Sequence, residues 1–293
     1  MYKLFLLFFS SLLLLTSCSS KKYEKLKIST STWIGYAPLF YAKEKGWLKP
    51  LNIKLLYVSS LGENMYLYQA GNSDAFTATQ YEYNIMSKKE PSLMPIILFD
   101  RSNGGDVIMS NLSIKELQRD TATIDAYLEM DSVNNILLKD FIKKYALEDK
   151  KIRYLNHDQA FISTLNVKNT KKPIIVVTYS PYDEELKKHG FIKIASTKDN
   201  LKLLVVDALF TTQKMFDNHK TQFVELKKLI DNALKALKNN PQEFYETIKP
   251  YMPELKYKEF IHSLNGIIWI NKKISMKLKE RMKESNFPTY GVI

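Results

Sequence analysis

Polar and aromatic side chains recur in short clusters, each just after an apolar run. The clusters are Ser31, Thr32, Trp33 and Tyr36; Thr77, Thr79 and Gln80; Asp100, Ser102 and Asn103; Glu129, Asp131 and Ser132; and Thr178, Tyr179 and Tyr182. Hydroxyls, amides, carboxylates and ring faces are groups of recognition: they hydrogen-bond, stack on a flat ring or face an ammonium group. The groups of covalent chemistry are missing. His157, His189, His219 and His262 are scattered, with no HExxH and no pair at ligand spacing. There is no GxSxG, Walker loop or GxGxxG, and "SNGGD" (102–106) lacks the lysine of a phosphate loop. No catalytic residue, cofactor or metal site is expected.

The elements that must position these clusters alternate. "LKISTS" (26–31) reads as a strand, and 38–46 as a helix with Pro38 in its first turn and Gly46 at its end. Strands at 52–59, 73–79 and 93–99 then alternate with helices at 64–71 and 80–90, the βαβ rhythm of a mostly parallel sheet. After Gly104 and Gly105 the rhythm restarts. Strands are expected at 121–129, 151–155, 173–180, 191–197 and 203–210. A helix is expected at 131–147, capped by Asp131 or Ser132, with Val133, Ile136, Leu137, Phe141 and Ile142 at helical spacing. The last third is helical: Phe223, Leu226, Ile230, Ala233 and Leu237 mark one face over 221–240, and shorter helices follow near 241–249, 254–263 and 275–284. In open α/β sheets the crevice at the carboxyl ends of the strands is where ligands bind. Clusters at that edge in two successive α/β units predict a pocket between two lobes.

The ends and totals narrow the class. "MYKLFLLFFSSLLLLTSC" places one lysine, an apolar run from Leu4 to Leu15 and small residues before the single cysteine, Cys18. A run of that length spans about 18 Å as a helix, too short for a roughly 30 Å hydrocarbon core, so an export signal fits better than a membrane span. "LTSC" resembles the lipobox of bacterial lipoproteins, which implies a signal over 1–17, lipidation at Cys18 and a tether over 18–25. With no other cysteine, neither disulfides nor a cysteine-based metal site are expected. The formal net charge of +12 comes from scattered lysines. That is a solvated surface near anionic lipid rather than a nucleic-acid stripe, so no nucleic-acid partner is expected.

"TWIGYAPLFYAKEKGWL" (32–48) resembles the opening of the periplasmic substrate-binding proteins for nitrogenous and sulfonated solutes, a family that includes the alkanesulfonate, taurine and thiamine-pyrimidine binders. The likeness continues in the family's order through "AGNSDAFTATQYE" (70–82), "DRSNGGDVIM" (100–109), "VVTYSPYDEELKKHGF" and "VVDALFTTQKMF" (205–216). The resemblance implies an α/β chain with the two-lobed type II periplasmic binding protein fold. Chain crossings are expected near Asp106 to Met109 and Val206 to Leu209. The first lobe would comprise 26–106 and the helical return 207–293, the second 107–206. It further implies a monomeric, lipid-anchored, periplasmic receptor that delivers a small-molecule solute to an ABC permease in the inner membrane. Presentation of the solute to a membrane sensor is the alternative client. An enzyme like the thiamine-pyrimidine synthases would need a cysteine cluster that this chain lacks.

One departure bears on the solute. Relatives carry a small glycine-serine turn where this chain has "EMDSV", so Glu129 and Asp131 bring negative charge to a helix N-terminus that would otherwise welcome an anion. A neutral or cationic nitrogenous solute, amine- or pyrimidine-like, is expected over a sulfonate or nitrate. The expected binding set is Trp33, Tyr36, Thr79, Gln80, Asp100, Ser102, Asn103, Glu129, Asp131, Ser132, Thr178, Tyr179 and Tyr182. For each a plainer role stands beside the functional one: core packing for the aromatics, turn or cap bonding for the polar residues. Asp106 reads as a hinge hydrogen-bond partner. If Trp33 lines the pocket, Trp33→Ala weakens binding and leaves the unliganded protein's stability nearly unchanged.

Overall fold

The computed structural model describes residues 23–199, 203–272 and 274–293. The expected export signal, Cys18 and most of the tether lie outside the described residues. Strand β1 (Leu26–Ser31) leads through a turn of 3-10 helix into helix α1 (Ala37–Glu44), which carries Pro38 in its first turn and ends at Gly46 with φ +71°. Then come β2 (Ile53–Val58), α2 (Leu61–Gln69), β3 (Ala75–Thr79), α3 (Gln80–Met86) and β4 (Leu93–Ser102). The middle of the chain gives β5 (Asp106–Ser110), α4 (Ile114–Arg119), β6 (Ile124–Leu128), α5 (Val133–Lys144) and β7 (Ile152–Asn156), then α6 (Gln159–Ile162), β8 (Ile174–Tyr179), α7 (Tyr182–Lys188) and β9 (Ile192–Ser196). The chain returns through β10 (Val206–Thr212), α8 (Gln213–Asn239), α9 (Pro241–Ile248), α10 (Tyr257–Leu264), β11 (Ile267–Trp269) and α11 (Met276–Glu284).

These strands form two separate sheets, ordered β11-β4-β10-β3-β1-β2 and β7-β6-β8-β5-β9. Neither is wholly parallel. β10 runs antiparallel to both its neighbours, β3 and β4, and β5 runs antiparallel to β8 and β9. The cause is topological. The other main strands run toward the gap between the sheets, whereas a chain that has just crossed the gap must enter the next sheet running away from it. β5 and β10 are the two strands that follow a crossing. The first crossing occupies 103–105 and the second lies between Ser196 and Val206, both slightly ahead of the expected positions. Asp106 to Met109 and Val206 to Leu209 are instead the first residues of the reversed strands.

Local chemistry sets where the helices begin. Ser60, Thr79, Ser132 and Thr212 each turn a side-chain oxygen to a free backbone N–H of α2, α3, α5 and α8. Ser132, rather than Asp131, is the cap of α5. On α8 the face expected from spacing is the one buried: Phe223, Leu226, Ile230, Ala233 and Leu237 pack into the core of the first sheet's lobe. Each large apolar side chain there stabilises the fold by about 1.5–3 kcal/mol. α8 bends at His219, where φ is −116° and ψ 18°, and α9 stacks Phe244 on Tyr41 at 4.5 Å. The helical third therefore covers the first sheet and leaves the carboxyl edges of both sheets facing each other.

Candidate functional site

The cleft between the two sheets is closed by hydrogen bonds that run from lobe to lobe, and carboxylates make the central ones. Glu82, in the first turn of α3, takes the Thr79 N–H and hydroxyl on one oxygen, at 2.9 and 2.5 Å. Its other oxygen accepts the Val133 N–H at 2.9 Å, at the start of α5 in the opposite lobe. Glu129, at the end of β6, reaches the other way and accepts the Leu61 N–H at 3.0 Å, at the start of α2. Each lobe thus seats a carboxylate on a helix N-terminus of the other, where unpaired N–H groups and the helix dipole favour negative charge. At the mouth, Thr32 Oγ1 and the Tyr182 hydroxyl lie 2.5 Å apart, Tyr66 donates to Asp131 at 2.6 Å, and the Ile34 N–H donates to the Ser180 carbonyl at 3.3 Å.

Behind these bonds is a small chamber lined by buried residues. Trp33, Leu61 and Thr79 line it from the first lobe, Asp106 and Tyr179 from the second, and Val205 and Asp207 from the returning chain. Its volume, about 10 Å³, holds roughly one water-sized group. Trp33 forms one wall. Its indole N–H points at both oxygens of Asp100, at 3.3 and 3.4 Å, and its ring meets Tyr179 edge-on at 5.9 Å. Two glycines make room for it. A Cβ on Gly35 would lie 1.9 Å from Asp100 Oδ2 and 2.3 Å from Trp33 Nε1, and one on Gly105 would lie 2.4 Å from the Trp33 ring. The glycine among aromatics in the first turn is a packing requirement.

The chamber's electrostatics are one-sided. Glu82, Asp100, Asp106, Glu129 and Asp207 are all buried. Asp207 Oδ1 accepts the Tyr36 hydroxyl at 2.6 Å, but Asp207 Oδ2 and Asp106 Oδ2 have no hydrogen-bond partner. Burial, which penalises the charged form, pushes Asp106 up to about 7 and Glu129 up to about 8. Burial also raises Glu82, against the pull of its N–H donors. Asp100 and Asp207 rise well above the carboxylate range, first through burial and then through repulsion from neighbouring carboxylates. A second, wider pocket of about 320 Å³ opens outside the Thr32–Tyr182 contact, between Tyr57 and Tyr251 on one side and Tyr182 and Glu184 on the other.

The residues expected at the site separate into groups. Trp33, Thr79 and Tyr179 line the chamber; Tyr36, Asp100 and Glu129 hold its side chains from behind; Tyr182 stands between chamber and outer pocket. The others have structural partners. Gln80 accepts the Val206 N–H at 2.8 Å and braces the second crossing. Ser102 bonds Thr197 at 2.7 Å and accepts the Asp106 N–H at 3.1 Å, and the Asn103 N–H donates to Gly266. Ser132 caps α5, Asp131 is exposed at the rim, and Thr178 donates to Gln159 at 2.7 Å. Trp33 is only 4% exposed and packs with the core of the first lobe, so the expectation that its truncation leaves stability unchanged does not hold. Sequence reasoning missed Glu82, Asp207 and the lining role of Asp106. The available signal was a lone acid inside an apolar strand run, "VVDALF" and "DVIM".

A scan against family models finds no match for the sequence, and no curated protein matches it. Solved structures do. The ligand-binding component of an ABC-type import system from Staphylococcus aureus, with zinc bound, superposes with a TM-score of 0.68 at 14% identity over 91% of this chain and 95% of its own. The alkanesulfonate-binding protein of Xanthomonas axonopodis bound to MOPS gives 0.68 at 11% identity, over 93% and 99%. The periplasmic nitrate-binding protein of Synechocystis gives 0.63 at 14% identity, over 81% and 69%. The chain has the α/β, two-lobed periplasmic binding protein fold.

Proposed function

We propose that the protein is a solute-binding receptor that captures a small nitrogenous solute, neutral or cationic, and hands it to an ABC importer in the inner membrane. One observation carries the reading: the carboxyl edges of two sheets meet over a buried chamber lined by recognition groups, and bonds from lobe to lobe close it. Such a cleft binds without reacting. The solute's greater affinity for the closed form shifts the lobes toward closure, and the closed shape is the form a permease selects. The Cys18 motif supports lipid anchoring on the periplasmic face, with the protein acting as a monomer. The carboxylates seated on the helix N-termini favour a nitrogenous solute over a sulfonate or nitrate, because they use the sites where an anion would bind.

Native mass spectrometry of the freshly purified full chain, followed by a thermal-shift screen across amines, pyrimidines and sulfonates, tests the reading. A solute at 100 times its Kd adds about 2.7 kcal/mol of stability. Small-angle scattering is expected to show compaction with the same solute. Binding by sulfonates alone would reverse the nitrogenous assignment, and no binding by any class would remove the receptor reading. Labelled fatty acid is expected to enter the wild-type protein and not Cys18→Ser.

A further inference from the structure

Two buried acids away from the cleft have cations of their own, whereas Glu82, Asp100 and Glu129 beside it are held by N–H and hydroxyl donors. Asp125 is paired by Arg153 at 2.5 Å and Asp183 by Lys187 at 3.2 Å. Inside the chamber this pattern stops. Asp106 and Asp207 are 4% and 2% exposed, each keeps one oxygen without a partner, and both line the same space. Among the described residues no lysine or arginine is buried. The one buried histidine, His219, bonds Gln222, which in turn holds the carbonyls of Glu24 and Leu51, away from the chamber. An ionised carboxylate is only an acceptor, and burying it without positive charge or a donor is strongly unfavourable. Burial accordingly shifts both acids toward the neutral form while the chamber is empty, and a positive charge that carries N–H groups would let them ionise and fill the two free oxygens.

Resting on the receptor reading above, we propose that the chamber takes the primary ammonium group of the solute, with Asp106 and Asp207 as its two charge partners. The alternatives fit less well. An anion meets carboxylates where the helix N-termini would otherwise receive it, because Glu82 and Glu129 are bonded there. A quaternary ammonium has no N–H to offer the two free oxygens, and its charged centre, like a planar guanidinium, is larger than the one water-sized group the chamber holds, whereas only the terminal ammonium of an alkylamine need enter. Among the described residues no group of three histidine, cysteine or acidic side chains is placed to share a metal ion. Hard divalent cations ask for six or more oxygen ligands. A primary ammonium is close to water in size and brings three donors.

The test uses matched probes on the full chain: butylammonium, butanol, butyrate, tetramethylammonium, ammonium and zinc ion, each by calorimetry and thermal shift, with scattering to report closure. Butylammonium is expected to bind and compact the protein at least tenfold more tightly than butanol or tetramethylammonium, and butyrate to give no heat. This comparison needs no variant. Asp106→Asn and Asp207→Asn are then each expected to weaken butylammonium at least tenfold while the unliganded melting temperature holds or rises, since each removes a group whose ionisation burial penalises. Equal binding of butanol, or stabilisation by zinc alone, overturns the ammonium assignment. Closure by some other neutral or anionic solute from the wider screen, without any amine effect, overturns it too and leaves the receptor reading standing. Absence of closure with every solute of every class removes both.

Discussion

Two pairs of carboxylates occupy the same cleft and are treated in opposite ways. Glu82 and Glu129 reach across to backbone N–H groups at helix starts in the opposite lobe, at 2.9 and 3.0 Å. Asp106 and Asp207 sit beside them, equally buried, with an oxygen each that nothing in the protein answers. The first pair is spent on holding lobe to lobe. The second is left open, at a cost in the empty closed form that the proposed guest would relieve. Identical side-chain chemistry thus divides into fastening and reception according to whether donors are built in.

The comparison can be broken in several places. The largest effect is expected from Trp33→Ala, because the buried indole packs against Tyr179 and bonds Asp100 and its loss leaves a cavity: about 3–5 kcal/mol by urea unfolding. Glu82→Ala orphans the Thr79 and Val133 N–H groups, and about 2–4 kcal/mol is expected by the same measurement. If it instead costs nothing, the fastening role is wrong. Changing pH acts on Glu82, Asp100, Asp106, Glu129 and Asp207 together. Their pKa values are raised, so between about pH 4 and 8 the folded form holds protons that the unfolded chain has released. Stability from this source is complete below about pH 4 and falls as pH rises through the folded values near 7 and 8. The unliganded melting temperature is expected to drop by several degrees across that window, and a bound cation to flatten the slope. Tyr66→Phe removes one exposed bond to Asp131 and is expected to cost under about 1 kcal/mol, visible mainly as easier opening in scattering.

Much of the fold was legible because its signals are local. Apolar runs, the βαβ rhythm and glycine or proline stops marked most strands and several helices to within a few residues, and the apolar spacing of 221–240 gave the buried face of α8. Some misses were local: the short helices α4, α6 and α7 were not among the expected elements. Others were long-range. β11 is a three-residue strand that exists only because β4 extends past its apolar run to Ser102 and offers an edge. The reversed directions of β5 and β10 follow from the crossings, which no local pattern encodes. At the site, strand-end clusters led to the right edge of each sheet. In the structure one oxygen of Glu82 completes a capping box with Thr79, and nothing in the four residues "TQYE" shows that the other oxygen reaches a different lobe. Gln80 and Ser102 were drawn into the expected set by the same proximity, and their side chains hold the crossings instead.

The reversed strands place Asp106 and Asp207 beside the two segments about which the lobes would swing. Points near a pivot travel least, whereas Glu82 and Val133, or Tyr66 and Asp131, lie across the gap and would part widely. A seat built at the pivot keeps its shape while the door stands open. The guest can then be lodged first and the lobes shut over it afterwards, so capture and closure become separate steps that rate measurements can resolve.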